Sequence, residues 1–130
     1  MSAFTVELEN RPRELARLCQ AMASSGVNLV LCAMTRGDEG VVALIADDEA
    51  SAQTVLEDAG FDYLMRPALT VRMENKPGVG ATTFRKLADA SVNVNLVLPV
   101  HISDELFFAV ICVDNEDAAR GALGDQIVNE

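Results

Sequence analysis

The chain of 130 residues is 50% hydrophobic and 23% charged, a composition typical of a protein with a buried core and not of a disordered one. Its formal net charge of −10 argues against nucleic acid and anionic membranes as partners, because affinity for these polyanions depends largely on Lys and Arg. The N-terminus lacks the basic and apolar regions of an export signal, and the longest uncharged stretch, residues 18–35, is interrupted by polar residues, so we expect a soluble cytoplasmic protein.

The chain begins with the pattern of a strand followed by a helix. Phe4, Val6 and Leu8 alternate with polar residues, as in a strand with one buried face. Pro12 suits the first turn of a helix, where its missing N–H has no partner. The next apolar residues have the helical spacing i, i+3, i+4 and i+7: Leu15, Leu18, Cys19 and Met22.

A hairpin, a second helix and a fourth strand follow. Residues 27–34 and 41–46 are apolar runs joined by a turn-rich segment, which predicts two antiparallel strands. Asp48 is a predicted N-cap and Gly60 a predicted helix end, with an apolar stripe between them. Alternation over residues 61–66 predicts the fourth strand.

The second half of the chain repeats the first. Adding 65 to the residue numbers aligns residues 4–31 with 69–96, with ten identities in 28 positions. Beyond the hairpin the offset becomes 67, which we interpret as an insertion in a loop. The sequence thus predicts an α+β protein of two tandem ferredoxin-like βαββαβ units, residues 1–66 and 67–130, each an antiparallel sheet with helices on one face.

Two features of the second repeat constrain its sheet. Pro99 falls within the second strand, which must therefore lie at a sheet edge or at a bulge. At an offset of 67 the counterpart of Phe61 is Val128, so the fourth strand is expected to be truncated. Because that leaves the first strand of the repeat with an open edge, we expect at least a homodimer.

Residues that carry chemistry are few. Cys19, Cys32 and Cys112 have no paired spacing and are read as reduced thiols, and the single histidine, His101, is read as a structural or surface residue. There is no CxxC, no HExxH and no Cys/His cluster, so we predict no metal, no cofactor and no catalytic residues. The protein is expected not to be an enzyme.

Other proteins of this topology can be compared with the sequence. An RNA-binding module requires stacking aromatic residues on its central strands and a basic surface, whereas Phe107 and Phe108 are the only aromatic residues there. A metal chaperone requires CxxC in the first loop, which has Asn10 to Arg13 in one repeat and Asn75 to Gly78 in the other. Neither reading is supported.

The first loop and the start of the second strand resemble the ACT domain family. In that family Asp or Asn, any residue, Pro and Gly open the first helix, and Gly, Val or Ile, Asn, and Ile or Val open the second strand. The second repeat has Asn75-Lys76-Pro77-Gly78-Val79-Gly80 and Ser91-Val92-Asn93-Val94. The first repeat has Asn10-Arg11-Pro12-Arg13 and Gly26-Val27-Asn28-Leu29, with Arg13 in place of the glycine.

This resemblance, which covers nearly the whole chain, implies a function. ACT domains usually bind an amino acid at the interface between two domains, and most regulate amino-acid metabolism. The implied ligand-binding residues are Asn75, Pro77, Gly78, Val79, Gly80 and Asn93 in the second repeat, and Asn10, Arg13 and Asn28 in the first. Gly78 has no Cβ, so a ligand can approach the backbone, and the N–H groups of the first helical turn are donors for a carboxylate.

Arg13 either blocks the pocket of the first repeat or binds a ligand carboxylate, and we expect the second repeat to be the site. We therefore interpret the chain as a non-catalytic regulatory protein that binds a free amino acid at an ACT domain interface and modulates amino-acid metabolism. The alternative hypothesis is a ligand-free interaction module that assembles with a metabolic enzyme or regulator. The expected partners are an amino acid, a second copy of the chain and such an enzyme.

Overall fold

The computed structural model describes residues 1–128, which form two four-stranded sheets with two helices each, as the fold prediction requires. The chain divides into one unit formed by Ser2–Arg66 and another formed by Met1 with the chain from Pro67 onward. The elements of the first unit are β1 (Ser2–Glu9), α1 (Glu14–Ser24), β2 (Leu29–Arg36), β3 (Glu39–Ala46), α2 (Glu49–Asp58) and β4 (Asp62–Pro67). Those of the second are β5 (Leu69–Glu74), α3 (Val79–Asp89), β6 (Val94–Ile102), β7 (Leu106–Val113), α4 (Glu116–Leu123) and β8 (Ile127–Val128).

The first sheet has the strand order β2-β3-β1-β4, and its inward residues form the core with α1 and α2. Phe4 and Val6 of β1 are fully buried, as their alternation predicts. The predicted stripe of α1 is only half correct, because Leu18 and Met22 are buried whereas Leu15 and Cys19 are exposed.

The second helix of each unit starts with a side-chain cap. Asp48 was predicted as an N-cap, and its carboxylate accepts a hydrogen bond from the Ser51 N–H at 3.0 Å. Asn115 caps α4 in the same way, accepting from the Ala118 N–H at 3.0 Å. The Ser51 hydroxyl and N–H bonded to Asp48 hold the pKa of that carboxyl below its ordinary value.

The second sheet has the order β6-β7-β5-β8, so β6 lies at an edge, where Pro99 was expected. The expected loop insertion is not there. Register breaks between Val94 and Leu96 and between Pro99 and His101 place the two extra residues inside β6 as bulges. A bulged edge with a proline is a poor template for further strand pairing.

The fourth strand of the second unit starts earlier than the repeat alignment indicates. Helix α4 has eight residues where α2 has ten, and a 3₁₀ turn, Gly124–Gln126, follows it. Ile127 and Val128 therefore pair with Val71 and Thr70 of β5 and cover part of its edge. The rest of the expected truncated strand, Asn129 and Glu130, lies outside the described residues.

Three further observations concern the sequence-based expectations. Within residues 1–128, no helix has the length and apolar character needed to cross a membrane. Of the three cysteines, Cys112 is buried, whereas Cys19 and Cys32 are exposed. His101 is an exposed residue of β6 whose ring lies 5.9 Å from that of Phe108.

Candidate functional site

The turn before the first helix has the same backbone conformation in both units. Gly78 has φ 90° and Arg13 has φ 78°, and each immediately precedes its helix. A Cβ at Gly78 would meet no atom within 4 Å, so glycine is favoured here by its left-handed conformation and leaves open space beside the backbone. Pro77 and Pro12 lie two positions before the helices and not within their first turns.

The loop asparagines hold the turn against the neighbouring hairpin. The Asn75 side-chain amide donates to the Ser103 carbonyl at 2.6 Å, and the Asn75 N–H donates to the Glu105 carbonyl at 2.9 Å. The Asn10 side-chain amide donates to the Gly37 carbonyl at 2.9 Å in the first unit. Both asparagines therefore have a structural role, which is to connect the turn to the hairpin.

Asn93 and Asn28 are not brought together with the turns of their own units. Asn93 lies at the far end of α3, whose eleven residues separate it from Gly78 by about 16 Å. Its N–H donates to the Asp114 carboxylate at 2.9 Å, and its side-chain amide donates to Asn95 at 3.1 Å. Asn28 makes the equivalent backbone bond to Asp47 at 3.0 Å. These bonds join the start of β6 to the end of β7, and the start of β2 to the end of β3.

Two cavities flank the β5–α3 turn. We call the larger one, of about 690 Å³, the basic cavity; its lining includes Pro77, Gly78 and Val79, together with Thr83, Lys86 and Gln126. The smaller, of about 270 Å³, is mostly apolar and includes Asn75, Val79 and Gly80 together with Phe84 and Phe107. Five of the six site residues predicted for this repeat thus line one or both cavities.

A hydrogen-bonded network connects several residues that line the basic cavity. Thr83 is the only buried polar residue among those described, at 2% exposure, and its hydroxyl accepts from the Gln126 side-chain amide at 3.1 Å. The same amide nitrogen donates to the Arg72 carbonyl at 3.4 Å, and the Lys86 ammonium donates to the Gln126 amide oxygen at 2.9 Å. The network joins α3, the edge of β5 and the turn that follows α4.

Sequence reasoning missed Thr83, Lys86 and Gln126. At the offset of 65, Thr83 aligns with the core residue Leu18, and Lys86 aligns with Ala21. A polar residue at a position that is apolar in the other repeat was the available signal.

The corresponding cavity of the first unit, of about 370 Å³, has the opposite charge. Its acidic lining residues are Glu7, Glu9, Glu14, Asp38, Glu39 and Asp62, and Arg17 is its one basic residue. We call it the acidic cavity. Five charged residues line the basic cavity: Arg72, Lys76, Lys86, Glu74 and Asp125. A cavity with three basic and two acidic residues stands out in a chain with a net charge of −10.

The first turn of α1 contains an acidic side chain, that of Glu14. Glu14 follows Arg13 directly and accepts hydrogen bonds from Arg17 at 3.1 Å and from Arg11 at 3.1 Å. The Arg17 hydrogen bond, with a smaller contribution from Arg11, holds the pKa of Glu14 below its ordinary value. Val79 stands at this position in the second unit, so its helix start carries no such group. Arg17 also lies over the Phe61 ring, 4.0 Å from its centroid.

Two further predictions concern the side chain of Arg13 and the absence of a metal site. Within residues 1–128, the Arg13 guanidinium makes no hydrogen bond or ion pair, and Arg13 lines neither the acidic cavity nor the smaller one of about 140 Å³ beside Asn10. Among the same residues, no three His, Cys, Asp or Glu side chains are grouped to hold a metal ion.

Comparison with known proteins finds similarity at the level of structure. No protein-family model and no curated protein sequence matches the chain. Protein BT0572 from Bacteroides thetaiotaomicron has a TM-score of 0.84 at 21% identity, with 98% of this chain and 90% of that one covered.

Two further structures are regulatory subunits of aspartate kinase. The ligand-free form from Thermus thermophilus has a TM-score of 0.71 at 18% identity, with 96% and 91% coverage. The subunit from Thermus flavus has a TM-score of 0.66 at 19% identity, with 94% and 89% coverage. The chain shares its fold with these proteins over almost its whole length.

Proposed function

We propose that the chain is a non-catalytic regulatory protein of the ACT type, which binds a free amino acid at the β5–α3 turn and modulates an enzyme of amino-acid metabolism in the cytoplasm. The observation that carries the proposal is the difference between the two helix starts. In the second unit, Gly78 leaves open space beside two cavities. In the first unit, Glu14 places a carboxylate at the first position of the helix, where the second unit has Val79.

The start of α3 is suited to a ligand carboxylate. The first backbone N–H groups of a helix have no partner within the helix. Asp48 and Asn115 cap α2 and α4, but no side chain caps α3. A carboxylate bound there accepts hydrogen bonds from the free N–H groups, and the helix dipole favours it by about 0.3–1 kcal/mol when the site is exposed.

The fold relatives support a regulatory role. Two of them are regulatory subunits of aspartate kinase, and this chain spans about nine-tenths of their length. On this basis we propose that the chain regulates an enzyme partner. The ACT motif residues around Gly78 add the amino-acid ligand to this proposal.

A thermal-unfolding panel with the twenty amino acids tests the proposal. A ligand at 100 times its dissociation constant stabilises the folded state by ~2.7 kcal/mol, so one amino acid or a related group is expected to raise the unfolding temperature. Titration calorimetry of the same ligand gives its stoichiometry, expected to be one per chain. If none of the twenty amino acids changes the unfolding temperature, the proposed amino-acid binding is contradicted and the ligand-free interaction module is favoured.

One observation favours assembly through β2 for either function. Strand β2 is an edge strand without bulges or proline, and Val30 and Met34 are 41% and 64% exposed. Strand β6, the equivalent edge of the second unit, has both a proline and two bulges. Unprotected edges are templates for pairing with another strand.

The proposed occupant of the β2 edge is the β2 strand of a second copy. In an antiparallel, two-fold pairing, Arg36 at the end of one β2 faces the start of the other strand. Asp47 lies beside that start but at the end of β3, one strand in from the open edge, with its carboxylate bonded to the Asn28 N–H. The opposite charges of Arg36 and the partner's Asp47 favour this pairing.

A further inference from the structure

The two units carry chemically different versions of one cavity. Both are lined by residues of the first strand, of the first helix and of the segment that joins the second helix to the last strand of their unit. The version in the first unit is lined by six acidic residues and Arg17. The version in the second unit is lined by three basic and two acidic residues. Because their charges differ, the equivalent cavities of the two units favour different ligands.

The difference extends to one buried position of the first helix, where Thr83 lines the basic cavity and Leu18 does not line the acidic cavity. Leu18 of the first unit is completely buried among apolar residues, whereas Thr83 is equally buried and binds the Gln126 amide. Burying a hydroxyl costs free energy unless it is hydrogen-bonded, so a polar residue at this position is not needed for the fold itself. The first unit demonstrates this, because it folds around leucine at the same position.

Lys86 is the cation that the hydrogen-bonded network presents to the cavity. Its ammonium has three donors, and one of them is bonded to the Gln126 amide oxygen at 2.9 Å. Gln126 is in turn held by Thr83 and by the Arg72 carbonyl. Lys76, the other lysine of the cavity, is already paired with Glu74 at 2.6 Å. Lys86 therefore retains donors for a ligand and has a defined position.

We propose that Lys86 determines the specificity of the amino-acid site by binding a side-chain carboxylate, so that the ligand is an acidic amino acid. The inference rests on the proposed function. The ligand's α-carboxylate lies at the start of α3 beside Gly78, and its side-chain carboxylate reaches Lys86 within the basic cavity. Thr83 and Gln126 are positioning residues, which hold the Lys86 ammonium toward the cavity through the amide.

Calorimetric titration with matched ligand pairs tests the inference. L-aspartate is compared with L-asparagine and L-glutamate with L-glutamine, since each pair differs mainly in side-chain charge. We expect at least one acidic ligand to bind about tenfold or more tightly than its amide, in line with a hydrogen bond to a charged group. Lys86→Met is expected to remove this ratio by weakening the binding of the acidic ligand.

The matched control is Arg85→Met. Arg85 is an exposed basic residue of the same helix, and it does not line the basic cavity. This variant is expected to keep the ratio of affinities for the acidic ligand and its amide. It thereby distinguishes a direct contact with Lys86 from a long-range electrostatic effect of the net charge. Thr83→Val is expected to lower the ratio, whereas Thr83→Ser retains the hydroxyl and is expected to restore it. A purely structural role for Thr83 would leave the ratio unchanged in both variants.

The outcomes separate this inference from the proposed function. If a neutral or basic amino acid binds with equal or higher affinity, or if Lys86→Met keeps the ratio, the inference is overturned and the proposed function remains. If no amino acid binds at all, both are overturned. Binding of inorganic phosphate or succinate with no amino acid bound would assign the cavity to a different anion and overturn both.

Discussion

Arg13 and Gly78 adopt the same left-handed backbone conformation at the start of the first helix of each unit, with φ of 78° and 90°. This conformation costs a residue with a Cβ about 1–2 kcal/mol, and glycine adopts it without that cost. The two turns are therefore equivalent in shape but not in strain.

Replacing Arg13 by Gly is expected to stabilise the protein by about 0.5–1 kcal/mol, because the relief of strain exceeds the added entropy of the unfolded chain. Urea unfolding measures the change. Gly78→Ala is the reverse control and is expected to destabilise by a similar amount, because its new Cβ meets no atom within 4 Å and only the conformation matters. Destabilisation by Arg13→Gly would show that the arginine side chain contributes to the fold.

Arg13→Gly also tests whether the first unit has a pocket. The substitution restores the ACT pattern, so it is expected to change the number of ligands bound per chain or their affinity. Calorimetry of the variant against the parent measures both. Identical values would mean that Arg13 neither blocks nor binds at a pocket.

Gly78→Asp is expected to abolish amino-acid binding while the protein remains folded. The new carboxylate occupies the open space beside the helix start and repels the carboxylate of the ligand, and Asp tolerates the left-handed region better than most residues. Gly37→Asp is the matched control, since Gly37 has φ 60°, faces equally open space and lies in the first hairpin. Unchanged affinity in folded Gly78→Asp would refute the site.

Glu14→Gln is expected to weaken the dependence of stability on acidic pH. The folded state lowers the pKa of Glu14 below its ordinary value of 4.5, so the unfolded state binds the proton more readily. The stabilisation is complete above pH 4.5 and is lost as the pH falls through the lower, folded-state pKa. Unfolding temperatures measured from pH 3 to pH 6 should fall less steeply toward acid in the variant. Parallel curves would mean that the arginine pairs contribute nothing.

The chain is expected to be a homodimer through β2. Light scattering at micromolar concentration should give twice the 13.9 kDa chain mass. Val30→Lys places a charge on the open edge strand and is expected to dissociate the dimer. Val97→Lys is the matched control, because Val97 lies on the protected edge and is exposed to the same 41%. A mass near 13.9 kDa for the parent, with and without amino acids, would refute the dimer.

The candidate site was predictable in part. The repeat and the ACT motif point to the β5–α3 turn, and five of the residues predicted there line the two cavities. Asn93 was included by the motif, yet it lies beyond the far end of α3. The remaining part of the site, Thr83, Lys86 and Gln126, has no motif, and its one sequence signal is a polar residue where the first repeat has an apolar one.

The sequence by itself determined the order of strands and helices, the duplication and the edge position of β6. These properties follow from local patterns: alternation at period two, the helical spacing of apolar residues, and a proline that lacks an N–H. The tertiary structure decided where two extra residues are placed, as bulges inside β6 and not in a loop. It also brought Gln126 to Thr83, 43 residues away in the chain. Such placements depend on strand register and on side-chain packing between distant segments, which no local pattern specifies.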